Sequence, residues 1–368
     1  MTARIRTALP RDIRPKAHTT PIRLGFVPLS DAAPLIVAQE WGLFARHGLD
    51  VRLSRELGWA SVRDKLVHGE LDGAHALSTL PIALAHGLGC VQTDVVAGMV
   101  LNLHGNAITL SNELWRAGVR DQSSMRSFLA ANRNRRMLTL GTVAMNSTHS
   151  FLLRSWFQRA GANFETDIRL VVVPPAQLGA NLASGHLDGF CAGEPWNSQA
   201  VASGHAWVAA TSADLVPYHP EKVLVVRAGF DAARRQEHLH LLAALLEACA
   251  LCDQAENHDA IARLLAGPRY LNLSAEVVRR GFSGRFDAGQ GRTLGGDLLV
   301  FHRDEANAPT ADKLGWIARH LLDGVAPKPF TAAQLAQVFR LELFTAAQAL
   351  VSNSEPNGHE IEARLLTA

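Results

Sequence analysis

A short polar segment ahead of an apolar helix is the first place in this sequence where side chains could bind a ligand. Residues 146–150 (NSTHS) open the apolar run 151–153 (FLL). Free backbone N–H groups at a helix start favour an anion, and the hydroxyl groups and His149 would add donors. The same residue types are also ordinary helix caps, which is their more frequent use. The segment predicts either an anion-binding helix start or a plain capped helix.

Four further residues lie where strands pass into helices or turns, and they carry donors suited to an anion. They are Trp59, Asn106, Gln177 and Lys222. A Trp at such a corner can wall a pocket and present its indole N–H to a ligand. Each residue taken singly also has a structural reading that fits at least as well. These readings are core filling for Trp59, a turn for Asn106, a helix start for Gln177 and a solvated ion pair with Glu221 for Lys222.

The segment 193–197 (GEPWN) follows a short buried strand and places a carboxylate beside a Pro and a Trp. Open α/β sheets bind ligands at the carboxyl ends of their strands, so Gly193 and Glu194 are candidates for lining a cleft. A carboxylate that faced a bound anion would repel it. We therefore expect Glu194 to support the cleft wall and the hinge rather than to contact the anion.

The sequence carries no recognisable catalytic or metal-binding motif. Its sixteen histidines are scattered, and Cys249-x-x-Cys252 lies in a helical pattern without the second pair that a zinc site needs. Buried free thiols in a reducing compartment are expected, with no metal and no cofactor. A net charge of +2 argues against a large nucleic-acid-binding face. These features favour a binding protein over an enzyme.

The basic N-terminal segment lacks the apolar run of a secretory peptide, and no window reaches the length of a membrane span. We expect a flexible arm at residues 1–20 and a soluble, cytoplasmic protein that does not contact the membrane.

An internal repeat positions these residues. Gly-x-Leu-Asp-Gly occurs at 69–73 and again at 185–189, and Leu24-Gly25 recurs as Leu140-Gly141, both at an offset of 116 residues. Each copy reads as strand, helix, strand, helix, strand, which is typical of parallel α/β units. In the first copy, a single helix is expected from Asp31 to about His47. Two similar α/β lobes follow from this pattern.

Lobe boundaries can be placed at the two crossovers. Residues 95–111 read as two strands around a turn, and residues 220–227 resume a strand. We expect lobe I at 21–112 and 222–368, with a helical C-terminal extension, and lobe II at 113–221. The Gly-rich segment 283–308 is expected to form a lid or an edge hairpin.

Several stretches in a fixed order resemble the nitrate- and bicarbonate-binding proteins of ABC transporters over roughly residues 20–350. The most specific are 193–197 (GEPWN) and 219–222 (HPEK), beside IRLGFVPLSDAAPLIVAQEWGLFARHGLDV, GWASVRDKLVHGELDGAHAL, LNLHGNAITLS and STHSFLLRSWFQRAG. The resemblance implies an α/β, two-lobed, periplasmic-binding-protein-like (type II) fold with the ligand cleft between the lobes. It also implies nitrate or nitrite contacts at Trp59, Asn106, His149 and Lys222, with Gln177, Gly193 and Glu194 lining the cleft.

Within that family, the missing export signal makes the chain similar to cytoplasmic nitrate/nitrite sensors. The resemblance implies that anion binding closes the cleft and releases an RNA-binding antiterminator protein, which switches on nitrate assimilation genes. Two alternatives remain open: the substrate-binding component of a nitrate or bicarbonate ABC transporter, and an enzyme similar to the thiamine-pyrimidine synthases that share this fold. The enzyme would need a Cys-rich iron motif, for which Cys249 and Cys252 are a poor substitute.

Overall fold

The structure is a computed structural model that describes residues 20–133, 135–322 and 329–352. Apart from Thr20, the expected arm at 1–20 lies outside the described residues. Among the described helices, a search finds none with the length and apolar content of a membrane span.

The strands of the described residues form two large sheets and one small hairpin. In chain order they are β1 (Ile22–Phe26), β2 (Val51–Arg55), β3 (Gly73–Leu77), β4 (Val95–His104), β5 (Asn106–Ser111), β6 (Leu138–Thr142), β7 (Ile168–Val172), β8 (Gly189–Gly193), β9 (Ala206–Thr211), β10 (Pro220–Arg227), β11 (Arg285–Gly289), β12 (Arg292–Gly295) and β13 (Leu299–Val300). The sheet of lobe I has the order β13-β4-β10-β3-β1-β2, and that of lobe II β7-β6-β8-β5-β9. Each contains three parallel strands from one repeat beside an antiparallel strand, β10 next to β3 and β5 next to β8.

Helices connect and cover these sheets. They are α1 (Ala33–Glu40), α2 (Leu43–Arg46), α3 (Trp59–Val67), α4 (Leu80–His86), α5 (Asn112–Arg116), α6 (Gln122–Asn132), α7 (Thr148–Arg159), α8 (Pro175–Ala183), α9 (Trp196–Ala202), α10 (Ser212–Leu215), α11 (Ala228–Ala233), α12 (Arg235–Asp253), α13 (His258–Ala266), α14 (Ala275–Arg280), α15 (Ala311–Leu322), α16 (Ala332–Val338) and α17 (Leu341–Ser352). The prediction of a single helix from Asp31 to His47 is wrong. A 3₁₀ turn precedes α1, and Gly42, at a φ of 75°, separates α1 from α2.

The repeated Asp performs the same structural role in both lobes. Asp72 Oδ2 accepts the backbone N–H of Arg23 at 2.8 Å, and Asp188 Oδ2 accepts that of Thr139 at 2.8 Å. In each lobe the carboxylate therefore pairs the backbone N–H of the second residue of β1 or β6, the middle one of the three parallel strands. The repeated Leu-Asp-Gly segments are therefore part of the scaffold of each lobe.

The repeated glycines of β1 and β6 leave room for core leucines. A Cβ added at Gly25 would lie 2.5 Å from Leu71 Cδ1, and one at Gly141 would lie 2.5 Å from Leu178 Cδ2. Both separations are far below van der Waals contact, so a side chain at either position would push the packed leucine away. The repeat therefore records a packing constraint between the central strand and the elements that cover it.

The first lobe boundary differs from the expected one at residue 112. β5 pairs with β8 and β9 of lobe II, so the chain crosses at Gly105, whose φ is 98°. The turn expected between the two strands of residues 95–111 is therefore the place where the chain crosses from lobe I to lobe II. A glycine in this conformation redirects the chain at low cost. The expected return crossover at 220–227 coincides with β10, which lies in the lobe I sheet.

The C-terminal extension does not belong to lobe I alone, contrary to expectation. The expected edge hairpin is present as β11 and β12, but it packs on lobe II. Arg292 Nη1 donates to the carbonyl of Val208 at 3.0 Å, and Phe286 shares a buried cluster with Val208 and Val201. The hairpin thus packs on lobe II, although the C-terminal extension that contains it begins and ends on lobe I.

Candidate functional site

Four of the residues singled out from the sequence lie buried at the edges of the two sheets that face each other. Trp59 begins α3 and Lys222 lies near the start of β10, both in lobe I. His149 is the second residue of α7 and Asn106 begins β5, both in lobe II. Trp59 is 4% exposed and the other three are fully buried. Such side chains lie at the carboxyl ends of parallel strands, where open α/β sheets bind ligands.

Lys222 is held between two carboxylates. Its Nζ lies 2.7 Å from Asp31 Oδ2 and 2.9 Å from Glu221 Oε1, and all three side chains are buried. The ion pair expected between Lys222 and Glu221 is therefore present, but it is buried and does not lie on the surface. Burial opposes the charged form of Lys222, but Asp31 and Glu221 outweigh it and raise the pKa of the ammonium group.

An irregularity in β10 explains how two adjacent side chains reach one cluster. Successive side chains of a regular strand point to opposite faces. The register of β10 against β4 shifts between Pro220 and Lys222 and again between Lys222 and Val223. A bulge of this kind re-aims side chains locally, so Glu221 and Lys222 can both reach the same buried site.

The two carboxylates remain ionised despite their burial. Burial opposes ionisation of Asp31, yet Lys222 and His75 lower the pKa of its carboxyl group. Burial likewise disfavours ionised Glu221, but Lys222, His149, His219 and a hydrogen bond from Thr148 lower its pKa to about 2. At neutral pH this part of the site therefore contains two negative charges and one positive charge.

Glu221 also connects the two lobes. The hydroxyl of Thr148 at the start of α7 donates to Glu221 Oε2. The neighbouring His149 places Nδ1 3.7 Å from Glu221 Oε1, and His219 Nδ1 lies 3.7 Å from Oε2. Burial lowers the pKa of both imidazoles to about 4. The lobes therefore meet through contacts between neutral imidazoles, a hydroxyl group and an ionised carboxylate.

Several buried N–H donors in this region have no hydrogen-bond partner. Among them are Trp59 Nε1, Asn106 Nδ2 and, in the tautomer that carries its proton there, His149 Nε2; His219, whose two ring nitrogens both lack partners, adds another. The Trp59 ring centroid lies 5.6 Å from Lys222 Nζ. Buried polar groups in native proteins are nearly always paired, and an unpaired one calls for an explanation. Unpaired donors from both lobes next to a buried ammonium group suit a small ligand that accepts hydrogen bonds.

Gly193 allows Asn106 to approach the lobe I residues. A Cβ at this position would lie 3.5 Å from both Asn106 Oδ1 and Asp31 Oδ2, and 3.3 Å from Leu29 Cδ2. These three groups therefore surround the glycine closely. Gly193 therefore lies at the interface of the lobes, and its role in lining the cleft stays a prediction.

Glu194 contacts lobe I through its backbone. Its carbonyl accepts the N–H of Ser30 at 2.7 Å, and the indole N–H of Trp196 donates to the carbonyl of Pro28 at 2.9 Å. The Glu194–Pro195 peptide bond is cis. Both carboxyl oxygens are buried, and burial raises the pKa of the group to about 7 against the opposing effect of Ser198 and Asn197. The expected supporting role agrees with these backbone contacts between lobes.

Gln177 does not join the buried cluster. It lies on an exposed face of α8, because that helix directs Leu178 and Leu182 into the core. The helix start is near the lobe interface, but the Gln177 side chain is exposed, and its place in the cleft lining stays a prediction.

Sequence reasoning missed Asp31, His75 and His219 as members of the site, and it considered Thr148 only as part of the helix start and Glu221 only as a solvated partner of Lys222. His75 Nε2 lies 2.8 Å from Asp31 Oδ1. Asp31 resembles a helix cap in the sequence, yet no side-chain cap is present at either the 3₁₀ turn or α1. One signal in the sequence could have identified Asp31. It follows the carboxyl end of a strand in the first copy of the repeat, just as residues 146–150 do in the second copy.

The cysteines either lie away from this site or, where one lies within it, have a neutral thiol group. Cys249 and Cys252 are buried on α12, and burial raises the pKa of each thiol. Within residues 20–133, 135–322 and 329–352, no group of three or more His, Cys, Asp or Glu side chains is placed to hold a metal ion.

Comparisons with known proteins place this geometry in a family. A family model described as "NMT1-like family" matches residues 15–266. A nitrate/nitrite binding protein NrtA from Synechococcus elongatus is 31% identical over 348 residues, which cover 91% of this chain and 79% of that protein. A nitrate import ATP-binding protein NrtC from Synechocystis sp. is 39% identical over 304 residues, covering 81% of this chain and 45% of that protein. The chain spans about half the length of the first curated relatives that it matches.

A solved structure shows the same fold. The crystal structure of the periplasmic nitrate-binding protein NrtA from Synechocystis PCC 6803 matches with a TM-score of 0.85 and 31% identity, covering 90% of this chain and 89% of that one. The two-lobed, periplasmic-binding-protein-like fold expected from the sequence is thereby confirmed.

Proposed function

The chain belongs to the NMT1-like family, and we propose that it is the substrate-binding component of an ABC transporter for nitrate or nitrite. In this proposal the anion lies between the lobes and accepts hydrogen bonds from Trp59, Asn106 and His149, beside the ammonium group of Lys222. The names of the nitrate-binding relatives support a binding role rather than catalysis.

One observation carries the proposal: the buried donors that lack partners come from both lobes. Trp59 belongs to lobe I, and Asn106 and His149 belong to lobe II. Each unpaired buried polar group costs about 1–3 kcal/mol, so the closed arrangement is disfavoured until a ligand pairs them. An anion with three acceptor oxygens would therefore stabilise the closed form over the open one.

The size of the ligand sets an expected affinity. Nitrate has four heavy atoms, and the best small ligands gain about 1.5 kcal/mol per heavy atom. The resulting limit of about 6 kcal/mol corresponds to a dissociation constant of tens of micromolar. Dry, charge-assisted contacts are needed to approach this limit.

Isothermal titration calorimetry with nitrate, nitrite, bicarbonate and chloride would test the proposal. We expect saturable binding of one nitrate or nitrite per chain and much weaker binding of chloride, which is too small to reach donors on both lobes. Bicarbonate is an informative competitor, because its O–H could donate to the unpaired Asn106 Oδ1. Saturation by bicarbonate with no heat from nitrate or nitrite would overturn the assignment.

A cytoplasmic sensor is the second candidate, and it rests on the sequence resemblance to such sensors. It uses the same anion site but a different partner, an RNA-binding antiterminator protein that binds the open form and leaves on closure. Thr148 and Glu221 provide an interlobe contact that such a partner could sense indirectly. Co-purification of the antiterminator without nitrate, and its release by nitrate, would support the sensor. Capture of a membrane permease instead would support the transporter component.

A further inference from the structure

The proposed anion site already carries an excess of negative charge. Asp31 and Glu221 contribute two negative charges, and Lys222 contributes one positive charge. The other titratable groups around His149 are neutral at pH 7, because burial lowers the pKa of the imidazoles and raises that of the thiol. They are His75 on β3, Cys191 on β8, His219 just before β10 in the chain, and His104 next to His219. The cluster therefore has a net charge of about −1 before any anion binds.

A second negative charge in this place would be repelled strongly. Two unit charges about 4 Å apart, at an effective dielectric constant of about 20, repel each other enough to weaken binding roughly 1000-fold. The donors of Trp59 and Asn106 are uncharged and do not change the net charge. The anion therefore needs a compensating positive charge that the anion-free site lacks.

His149 is the group whose geometry can supply that charge. Its Nδ1 lies 3.5 Å from Thr148 Oγ1 and 3.7 Å from Glu221 Oε1, and its Nε2 is buried without a partner. A neutral imidazole has one N–H. It can therefore direct that N–H either toward Glu221 or toward the anion, and its other nitrogen then points a lone pair at a negative group. The imidazolium form has an N–H on both nitrogens and places its positive charge between the two negative groups.

We propose that the cleft takes up one proton with each anion, and that His149, held between Glu221 and the anion, carries it. The proposal rests on the proposed anion-binding function and extends it. One anion and one proton enter together, so the net charge of the cluster is unchanged by binding. Glu221 is then a positioning residue that makes the proton uptake necessary and holds the imidazolium in place.

Calorimetry in buffers of different ionisation enthalpy measures the proton uptake directly. For nitrate binding to the full chain at pH 6–7, we expect about one proton taken up per anion. Affinity should fall up to tenfold per pH unit between pH 5.5 and the pKa of His149 in the complex, because only the protonated complex is stable there. Nitrate binding with no proton uptake at any pH would overturn the inference and leave the anion-binding function intact. No nitrate binding at any pH would overturn both.

Two variants test the assignment to particular groups. In His149→Gln, nitrate should bind more weakly and without proton uptake, whereas the matched variant His219→Gln should retain the uptake. The reverse pattern would contradict the role of His149.

Glu221→Gln should change the affinity for nitrate in the opposite direction to His149→Gln. It removes one negative charge, so nitrate should bind more tightly than to the unmodified protein at pH 8, and proton uptake should disappear. A merely structural role of Glu221 would predict weaker binding with unchanged proton uptake, and that result would refute the proposal.

Discussion

Replacement of Asn106 by Leu separates the anion-binding role of this residue from its role in the fold. Asn106 is fully buried at the start of β5, and both polar atoms of its side chain lack partners. A hydrogen bond to a charged group contributes about 1.5–3 kcal/mol. Asn106→Leu should therefore weaken nitrate binding about 10- to 150-fold. Because the substitution nearly preserves size and removes two unpaired buried atoms, the free energy of unfolding without nitrate should rise by about 1 kcal/mol or more.

Asn197→Leu is the matched control. Asn197 is equally buried, but its amide donates to the carbonyl of Ala192 at 2.9 Å and accepts from Thr109 at 2.8 Å. The same substitution there should lower the free energy of unfolding by about 1–3 kcal/mol, because it leaves both partners unpaired. Urea denaturation and nitrate calorimetry on both variants give the comparison. Unchanged nitrate affinity in Asn106→Leu would refute the reasoning and leave Asn106 as a turn residue.

Three further predictions concern stability. Lys222→Met leaves two buried carboxylates without their cation, so the free energy of unfolding at pH 7 should fall by about 3–5 kcal/mol in urea titrations, and nitrate binding should be lost. Gly141→Ala should cost about 1–3 kcal/mol through overpacking in thermal denaturation, whereas Gly179→Ala, whose added Cβ meets nothing closer than 3.9 Å, should be neutral or stabilising. Glu194 has a folded pKa of about 7, above its ordinary value of 4.5, so its folded form loses stability as pH rises toward and through 7. Glu194→Gln should therefore raise the free energy of unfolding by about 3 kcal/mol at pH 9 and change it little at pH 5; equal effects at both pH values would contradict a buried titrating carboxyl group.

The repeat made the architecture predictable from the sequence. Strand periodicity and the 116-residue offset indicate two α/β lobes, and the structure explains the repeated residues by local contacts, such as Asp72 with Arg23 and Asp188 with Thr139. Contacts of this kind join elements of one unit, so their pattern recurs along the chain. The broken helix after Asp31 and the packing of the β11–β12 hairpin on lobe II depend on tertiary contacts that no local pattern carries.

The donors of the candidate site were identified from sequence, but their electrostatic surroundings were not. Residue type and position at element ends made Trp59, Asn106, His149 and Lys222 candidates, and the family resemblance implied their contacts with the anion. The ion pair of Lys222 with Asp31 joins residues that are 191 positions apart in the chain. The burial of Glu221 beside Lys222 follows from a bulge in β10, and hydropathy favours a solvated pair instead. Sequence reasoning therefore indicated the candidate donors and missed the carboxylates that surround Lys222.

The central claim, that nitrate or nitrite is held between the lobes by these donors, is tested most directly at the indole of Trp59. Its N–H is buried at the lobe interface without a partner. In ¹H–¹⁵N correlation spectra, the indole resonance that disappears in Trp59→Phe should shift saturably as nitrate is added, at the concentration where calorimetry reports binding. A nitrate titration that binds by calorimetry but leaves that resonance unmoved would contradict the claim.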